Sequence, residues 1–171
     1  MALQLMSLWL QPEQAAAAEL DTEIARVAAV HDTAAFASHL TVLGPVEQEV
    51  TVAIAALDRL ASQLSPLDVT FLQTRCEDAW QRSLYLAAVA DSALRRAFEC
   101  AARVFAVSTP AFEPHLSLQY SQLPVADKVR LAAELTLQMP RRVLFTRLSL
   151  WQTAGSDASR WRLLATRSLD G

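Results

Sequence analysis

Glycine and cysteine are scarce in this 171-residue chain, and their scarcity excludes several kinds of site. The three glycines, Gly44, Gly155 and Gly171, are too far apart for a phosphate-binding GxxxxGKS/T loop or a dinucleotide-binding GxGxxG turn. The two cysteines, Cys76 and Cys100, form no CxxC pair, so neither a cysteine-rich zinc site nor a thioredoxin-type redox pair can be built. We therefore expect no metal site and no cofactor.

Long apolar runs are also missing. The longest clear run, Leu84 to Ala90, is much shorter than the ~18 residues that a membrane-spanning helix needs. The first positive charge is Arg26, and polar residues at 11–14 interrupt the apolar start, so we expect neither a signal peptide nor a transit peptide. These features predict a cytoplasmic protein that is not embedded in a membrane.

Positive charge is sparse in the first part of the chain. Residues 1–74 carry two basic and nine acidic side chains, whereas residues 75–171 carry thirteen basic and nine acidic ones, for a net charge of −3. Because the basic residues alternate with acids, we expect no continuous patch for duplex nucleic acid, and a small anionic substrate fits better. With 53% hydrophobic positions, residues 1–171 suit one domain, expected to be a monomer.

Helical and extended patterns alternate along the chain, with Pro or small polar residues between them. Strands are predicted at 5–10, 39–43, 67–75, 80–89, 115–120, 143–152 and 161–169. Helices are predicted at 13–30, from Pro45 to about 64, at 91–107 and at 124–137. Since the late strand pair in each half is joined by a short turn, antiparallel pairing should dominate, which predicts an α+β fold.

The second part of the chain repeats the plan of the first when His39 is aligned with His115. This repeat predicts a duplicated, two-lobed fold, with lobe 1 at about 13–90, lobe 2 at about 91–171, and strand 5–10 completing a sheet. Each lobe should be an antiparallel sheet with helices on the outside. We expect an active-site cleft between the lobes.

Two of the three histidines lie in matching tetrads, His39-Leu40-Thr41-Val42 and His115-Leu116-Ser117-Leu118. Side chains alternate between the two faces of a strand, so the histidine and the hydroxyl of each tetrad share one face while the apolar residues point into the core. Each lobe therefore presents one imidazole and one hydroxyl together.

Two imidazoles that face each other across a cleft suit a phosphate diester. The hydroxyls of Thr41 and Ser117 would donate to the non-bridging phosphate oxygens, one neutral imidazole would take a proton from water, and the other would protonate the departing oxygen. Because an ordinary histidine titrates near pH ~6.5, both forms are accessible at neutral pH without a metal.

The paired tetrads resemble the signature of the 2H (two-histidine) phosphoesterase superfamily, and the chain is similar to its plant- and yeast-type cyclic phosphodiesterases. The supporting stretches are Ser7-Leu-Trp-Leu-Gln-Pro12, Phe112-Glu-Pro-His-Leu-Ser-Leu-Gln-Tyr120 and Arg147-Leu-Ser-Leu-Trp-Gln-Thr153. The resemblance implies a duplicated, two-lobed α+β fold. It also implies metal-independent hydrolysis of ADP-ribose 1″,2″-cyclic phosphate to ADP-ribose 1″-phosphate, and of nucleoside 2′,3′-cyclic phosphates to 2′-phosphates.

The same resemblance implies roles for individual residues. It assigns His39 and His115 to catalysis, Thr41 and Ser117 to phosphate binding, and Trp9 and Tyr120 to contact with the substrate. Tyr120 has the parity of the core-facing Leu116 and Leu118, so strict alternation would bury it unless the strand ends or bulges first. The other three tryptophans, Trp80, Trp151 and Trp161, are expected to pack in the sheet and to lie outside the site.

Two alternatives stay open. One is a phosphodiesterase acting on RNA ends that bear a 2′,3′-cyclic phosphate, as in the RNA-ligase-like branch of the superfamily. In that branch the second tetrad usually runs on into an arginine, whereas Gln119-Tyr120 stands here, which lowers the odds of an RNA substrate. The other alternative is a nucleotide-binding module without turnover, although intact histidines and hydroxyls in both halves argue against it.

Overall fold

The computed structural model describes residues 3–108 and 111–169, which form seven β-strands, four α-helices and one short 3₁₀ helix. The strands are β1 (Gln4–Pro12), β2 (Leu40–Gln48), β3 (Leu67–Cys76), β4 (Leu84–Ala88), β5 (His115–Gln119), β6 (Arg141–Gln152) and β7 (Arg162–Ser168). The helices are α1 (Gln14–Val30), α2 (Val50–Ala61), α3 (Ser92–Val104) and α4 (Val125–Ala133), and the 3₁₀ helix is Ala158–Arg160. Residues 1–2, 109–110 and 170–171 of the predicted domain lie outside the described residues.

The strands form one closed, antiparallel sheet. Its order is β1-β2-β5-β4-β3-β6, and β6 returns to pair with β1, which closes the barrel. β3 pairs with the first part of β6, and β7 pairs with the second part of β6. All strand pairings among the described residues are antiparallel, so the predicted α+β class with antiparallel pairing is confirmed.

The barrel combines strands from both predicted lobes. β5 of the second half lies between β2 and β4 of the first half, and the single pair Leu40–Leu116 links β2 to β5. The two sheets expected from the sequence are therefore continuous. Closure gives each strand of the ring two neighbours, which removes exposed strand edges. The lobe division near residue 90 stays a prediction.

The largest extension beyond a predicted strand is at the end of β2. β2 continues through Gly44 and Pro45, where the sequence predicted the start of a helix, and α2 begins only at Val50. Pro45 has no N–H to donate, but the register of β1 against β2 shifts around Ser7, and a bulge of this kind tolerates proline within a strand. An added Cβ at position 44 would lie 2.7 Å from the Ser7 Oγ and 3.2 Å from the Ser7 Cβ, so the Ser7 side chain would have to shift.

The helices pack against the sheet and build the core with it. α1 contacts β1 and β5, α2 contacts β6 and β7, α3 contacts β2 and β3, and α4 contacts β3. The predicted core residues Leu40, Val42, Leu116 and Leu118 are buried, as expected. At roughly 1.5–3 kcal/mol per buried side chain, these four contribute several kcal/mol. Within the described ranges, no helix is both long and apolar enough to cross a membrane.

Candidate active site

The two tetrad histidines lie at the starts of neighbouring strands. His39 directly precedes β2, and His115 opens β5, one residue before the Leu40–Leu116 pair that joins these strands. Both imidazoles line one cavity of about 470 Å³, which we call the histidine cavity. The structure therefore brings together the two side chains that the sequence places 76 positions apart.

The two imidazoles are held by equivalent hydrogen bonds. The Nδ1 of His39 lies 2.7 Å from the carbonyl oxygen of Ala37, and the Nδ1 of His115 lies 2.9 Å from that of Glu113. A carbonyl oxygen only accepts, so each Nδ1 carries the hydrogen and donates it. Each neutral ring consequently keeps the lone pair of its Nε2 for proton transfer.

The surroundings of the two imidazoles differ. His39 is 1% exposed, its ring stacks on Trp9 with centroids 3.5 Å apart, and its Nε2 lies 3.3 Å from the Tyr120 hydroxyl. This burial, together with the nearby His115, lowers the pKa of His39 to about 3, although its hydrogen bond to Ala37 opposes the shift. His39 is therefore neutral at pH 7.

His115 is only half-buried, and charged groups surround it. Burial lowers its pKa, and the Arg82 guanidinium lowers it further. The hydrogen bond to the Glu113 carbonyl and the carboxylates of Glu77 and Glu113 act in the opposite direction. The edge of the buried Tyr85 ring contacts the imidazole, with centroids 5.3 Å apart. The net result is a lowered pKa for His115, and the nearby carboxylates of Glu77 and Glu113 limit this shift.

The two predicted phosphate-binding residues occupy different positions. Thr41 lines the histidine cavity, as its parity with His39 predicts. Ser117 is 3% exposed, its Oγ is 3.4 Å from the carbonyl oxygen of Gln81, and its side chain lies within hydrogen-bond reach of the Tyr120 hydroxyl. The assignment of Ser117 to phosphate binding stays a prediction.

Trp9 and Tyr120 both line the histidine cavity. Trp9 is 2% exposed, and its ring is stacked between the rings of His39 and Trp151, with a centroid distance of 4.6 Å to Trp151. Trp9 therefore packs against one face of the His39 imidazole. Tyr120 escapes strict alternation because β5 ends at Gln119. Burial raises the pKa of Tyr120 to about 12, so its hydroxyl keeps its proton and can donate it to the Nε2 of His39.

Two tryptophans that the sequence placed in the sheet belong to the cavity instead. Trp80 lies in the connection between β3 and β4, and Trp161 directly precedes β7, so neither lies within a strand. Both line the histidine cavity and contact Tyr120, at centroid distances of 4.8 Å for Trp80 and 5.3 Å for Trp161. The prediction that these two rings pack in the sheet outside the site is therefore wrong. Their positions next to the turn residues 77–79 and 154–159 could have indicated that they lie in connections and not in strands. Trp151 does lie on β6.

Arg82 contributes a cation to the cavity wall, and no motif in the sequence indicated this role. Its guanidinium donates to Glu77 at 2.6 Å, to the hydroxyl of Tyr85 at 3.0 Å, and to Glu113. Although burial lowers the pKa of Arg82, these hydrogen bonds raise it overall, so the group stays charged. Of the described residues, no Asp or Glu lines the histidine cavity, which therefore suits an anion.

Metal-binding side chains are not clustered in this region. Within residues 3–108 and 111–169, no three His, Cys, Asp or Glu side chains lie close enough together to hold a metal ion.

Comparison with known proteins identifies the family. The sequence model of the cyclic phosphodiesterase-like protein family matches residues 4–142 of the chain. Escherichia coli LigT in its apo form shares 18% identity over 100% of both chains, with a TM-score of 0.63, and LigT complexed with 3′-AMP shares 18% over 98% of both, also at 0.63. A structure described as a phosphoesterase shares 19% over 99% of both chains at 0.61.

The structural neighbours, at these identities, show a common fold. No curated protein is significantly similar in sequence. The family match extends over most of the chain and contains both tetrads. The chain belongs to the cyclic phosphodiesterase-like family, within the 2H phosphoesterase superfamily.

Proposed function

We propose that the protein is a metal-independent phosphodiesterase that hydrolyses ADP-ribose 1″,2″-cyclic phosphate and nucleoside 2′,3′-cyclic phosphates. One observation carries the proposal. His39 and His115 share a cavity, and in both rings the Nδ1 donates to a backbone carbonyl two residues earlier, which makes each Nε2 the atom for proton transfer. This is the arrangement that paired acid and base catalysis at one phosphorus atom requires. At His39, the attacking water takes the place of the Tyr120 hydroxyl as the partner of Nε2.

The unequal burial of the imidazoles suggests how they divide the work. His39 is the neutral, more buried ring, and in the proposal its Nε2 takes a proton from water as the water oxygen attacks phosphorus. The bond from phosphorus to one ring oxygen breaks, and His115 donates its Nε2 proton to that departing oxygen. The product is a phosphomonoester. The negative phosphate raises the pKa of both imidazoles on binding, which favours a protonated His115.

The remaining wall residues suit a cyclic nucleotide. Thr41 presents a hydroxyl to the cavity, and Ser117 follows His115 closely enough to take part once its hydroxyl leaves Gln81. In the proposal both donate to non-bridging phosphate oxygens. The aromatic side chains of Trp80 and Trp161 add surface for a base. A nucleotide ligand also agrees with the described complex of LigT with 3′-AMP.

The wider proposal keeps three expectations that rest on the sequence. The two histidine-bearing halves, about 13–90 and 91–171, are taken as duplicated lobes that face each other across the cavity. The enzyme is taken to act as a monomer in the cytoplasm. RNA ends are taken as poorer substrates, because Gln119-Tyr120 replaces the arginine of the RNA-ligase-like branch.

A substrate panel tests the proposal. The purified protein is incubated, with and without EDTA, with cyclic nucleotides and with an oligonucleotide ending in a 2′,3′-cyclic phosphate, and phosphorus NMR assigns the product. We expect a 2′-phosphate or 1″-phosphate product, at a rate that EDTA leaves unchanged. Loss of activity in EDTA would contradict the metal-independent mechanism. Binding of a 2′-phosphate without any hydrolysis would identify a binding module instead.

A further inference from the structure

Glu77 joins several hydrogen bonds next to the histidine cavity, although it is not one of the residues that line the cavity. It directly follows β3, and its carboxylate accepts from the hydroxyl of Tyr85 at 2.5 Å and from the guanidinium of Arg82 at 2.6 Å. Its backbone N–H faces the carbonyl oxygens of Arg82 and Ser83, at 3.1 and 3.2 Å. Glu77 therefore closes the connection between β3 and β4 through both its backbone and its side chain.

A buried lysine also holds Glu77 in place. Lys128 of α4 is completely buried, and its Nζ donates to the backbone carbonyl oxygen of Glu77 at 2.7 Å. Lysine side chains are rarely buried in full, because their amino group must then find a partner inside the protein. The contact fixes the backbone of Glu77 and thereby the position of its carboxylate.

Two routes connect the Glu77 carboxylate to the His115 imidazole. In the first route, the carboxylate holds the hydroxyl of Tyr85, whose ring packs against the imidazole with a centroid distance of 5.3 Å. In the second route, Arg82 donates to both Glu77 and Glu113. The backbone carbonyl of Glu113 in turn lies 2.9 Å from the Nδ1 of His115. Glu77 therefore acts on the packing of the imidazole and on the residue that accepts its Nδ1 hydrogen.

The charge of Glu77 also acts on the imidazole. The titratable groups that face the ring are Glu77, Arg82 and Glu113, together with Tyr85 on β4 and His39 across the cavity. Burial lowers the pKa of His115 and the Arg82 guanidinium lowers it further, whereas the two carboxylates raise it. The Glu113 side chain is 65% exposed and that of Glu77 only 39%, so water screens the charge of Glu77 less.

We propose that Glu77 is a positioning residue for His115, which holds Tyr85 and Arg82 in place and keeps the imidazole protonated for transfer to the departing oxygen. This inference rests on the proposed function and adds to it a residue outside the cavity wall. Glu77 acts through Tyr85, Arg82 and Glu113, and it does not touch the phosphate. Without its carboxylate, Glu113 alone would offset the charge of Arg82 near the imidazole.

The dependence of kcat/KM on pH tests the inference. In the proposed mechanism the rate falls at high pH as His115 of the free enzyme loses its proton. Glu77→Gln removes the charge but keeps an oxygen that accepts from Tyr85 and Arg82. This variant should move the falling limb to lower pH by about 0.5–1 pH unit, less than a charge in direct contact with the imidazole would cause.

A neighbouring acid provides the matched control. Asp78 is exposed and lies in the same connection, so Asp78→Asn removes an equal charge without touching the hydrogen bonds of Glu77. Its falling limb should coincide with that of the wild type. A limb that stays in place in Glu77→Gln, or that moves equally in both variants, refutes the positioning role even if the rate falls.

A second variant tests the hydrogen bonds apart from the charge. Glu77→Ala also removes the oxygen that accepts from Tyr85 and Arg82. It should move the limb at least as far as Glu77→Gln and lower kcat further, because a misplaced catalytic group slows the reaction. A kcat equal to that of Glu77→Gln would contradict the part of the proposal that rests on these hydrogen bonds.

NMR titration of the His115 imidazole separates failure of this inference from failure of the proposed function. The histidine ring signals are followed without substrate, and the signal that is missing from His115→Gln is assigned to His115. Its midpoint should be lower in Glu77→Gln than in the wild type by about 0.5–1 pH unit and unchanged in Asp78→Asn. Equal midpoints in the three proteins overturn the inference. Absence of hydrolysis with every substrate would refute the proposed function alone, because the titration needs no turnover.

Discussion

Removing the imidazole of His39 should flatten the dependence of folding stability on pH. The side chain is 1% exposed, and burial lowers its pKa from 6.5 to about 3. Unfolding restores the ordinary pKa, so between these two values the unfolded chain binds a proton that the folded protein does not. The stabilisation from a neutral His39 is therefore complete above a pH of about 6.5 and is lost as the pH falls towards 3.

The size of the effect follows from the difference between the two pKa values. The whole difference corresponds to about 5 kcal/mol of unfolding free energy at 1.36 kcal/mol per pKa unit. At about pH 5 the unfolded histidine is almost fully protonated and the folded one is neutral, so about 2 kcal/mol is already lost. That loss changes the ratio of folded to unfolded protein roughly 30-fold.

Urea unfolding followed by tryptophan fluorescence measures this free energy. Between about pH 7.5 and pH 5, the wild type should lose about 2 kcal/mol more than His39→Gln. Thr41→Val is the control, because Thr41 lines the same cavity and does not titrate, and it should keep the wild-type difference. If His39→Gln lost as much stability as the wild type over this interval, the reasoning that burial keeps His39 neutral would be refuted.

Three further variants test the wall and the core. Thr41→Val should lower kcat/KM by about 10–100-fold with folding intact, since a hydrogen bond to a charged group contributes ~1.5–3 kcal/mol; an unchanged value would remove Thr41 from the phosphate site. Trp9→Ala should cost about 3–5 kcal/mol in denaturant unfolding, and a cost below ~1 kcal/mol would contradict its packing under His39. Leu116→Ala should cost ~2–5 kcal/mol, measured in the same way, and an unchanged stability would contradict the core assignment.

The local pattern of the sequence was enough to predict the seven strands and the parity of the tetrads, but not the bounds of β2 and β4. Alternation places His39 and Leu40 on opposite faces, and the structure agrees because that choice depends only on neighbouring residues. The closed barrel could not be predicted in this way, since the pairing of β1 with β6 joins segments that are far apart in the chain. Alternation along a strand predicts which face of the sheet a side chain lies on, but it does not predict which other strand pairs with that strand.

The aromatic part of the site shows the same limit. Tyr120 reaches the cavity only because β5 ends one residue before it, and strand ends are set by tertiary pairing. Trp80 and Trp161 lie in connections, where propensity for sheet packing gives no information about the final direction of a ring. Ser117 has the predicted parity, and its hydroxyl lies 3.4 Å from the carbonyl oxygen of Gln81, a contact that alternation along the strand does not predict.

The central claim is that His39 and His115 act together on one phosphate, and turnover by their variants tests it most directly. Rates of hydrolysis of adenosine 2′,3′-cyclic phosphate in EDTA are compared for His39→Gln, His115→Gln and the double variant, with folding checked by circular dichroism. Each single variant should lose on the order of 10²–10⁴ in kcat, and the double variant should show no measurable turnover. A folded double variant that kept its rate within about tenfold of the wild type would contradict the account.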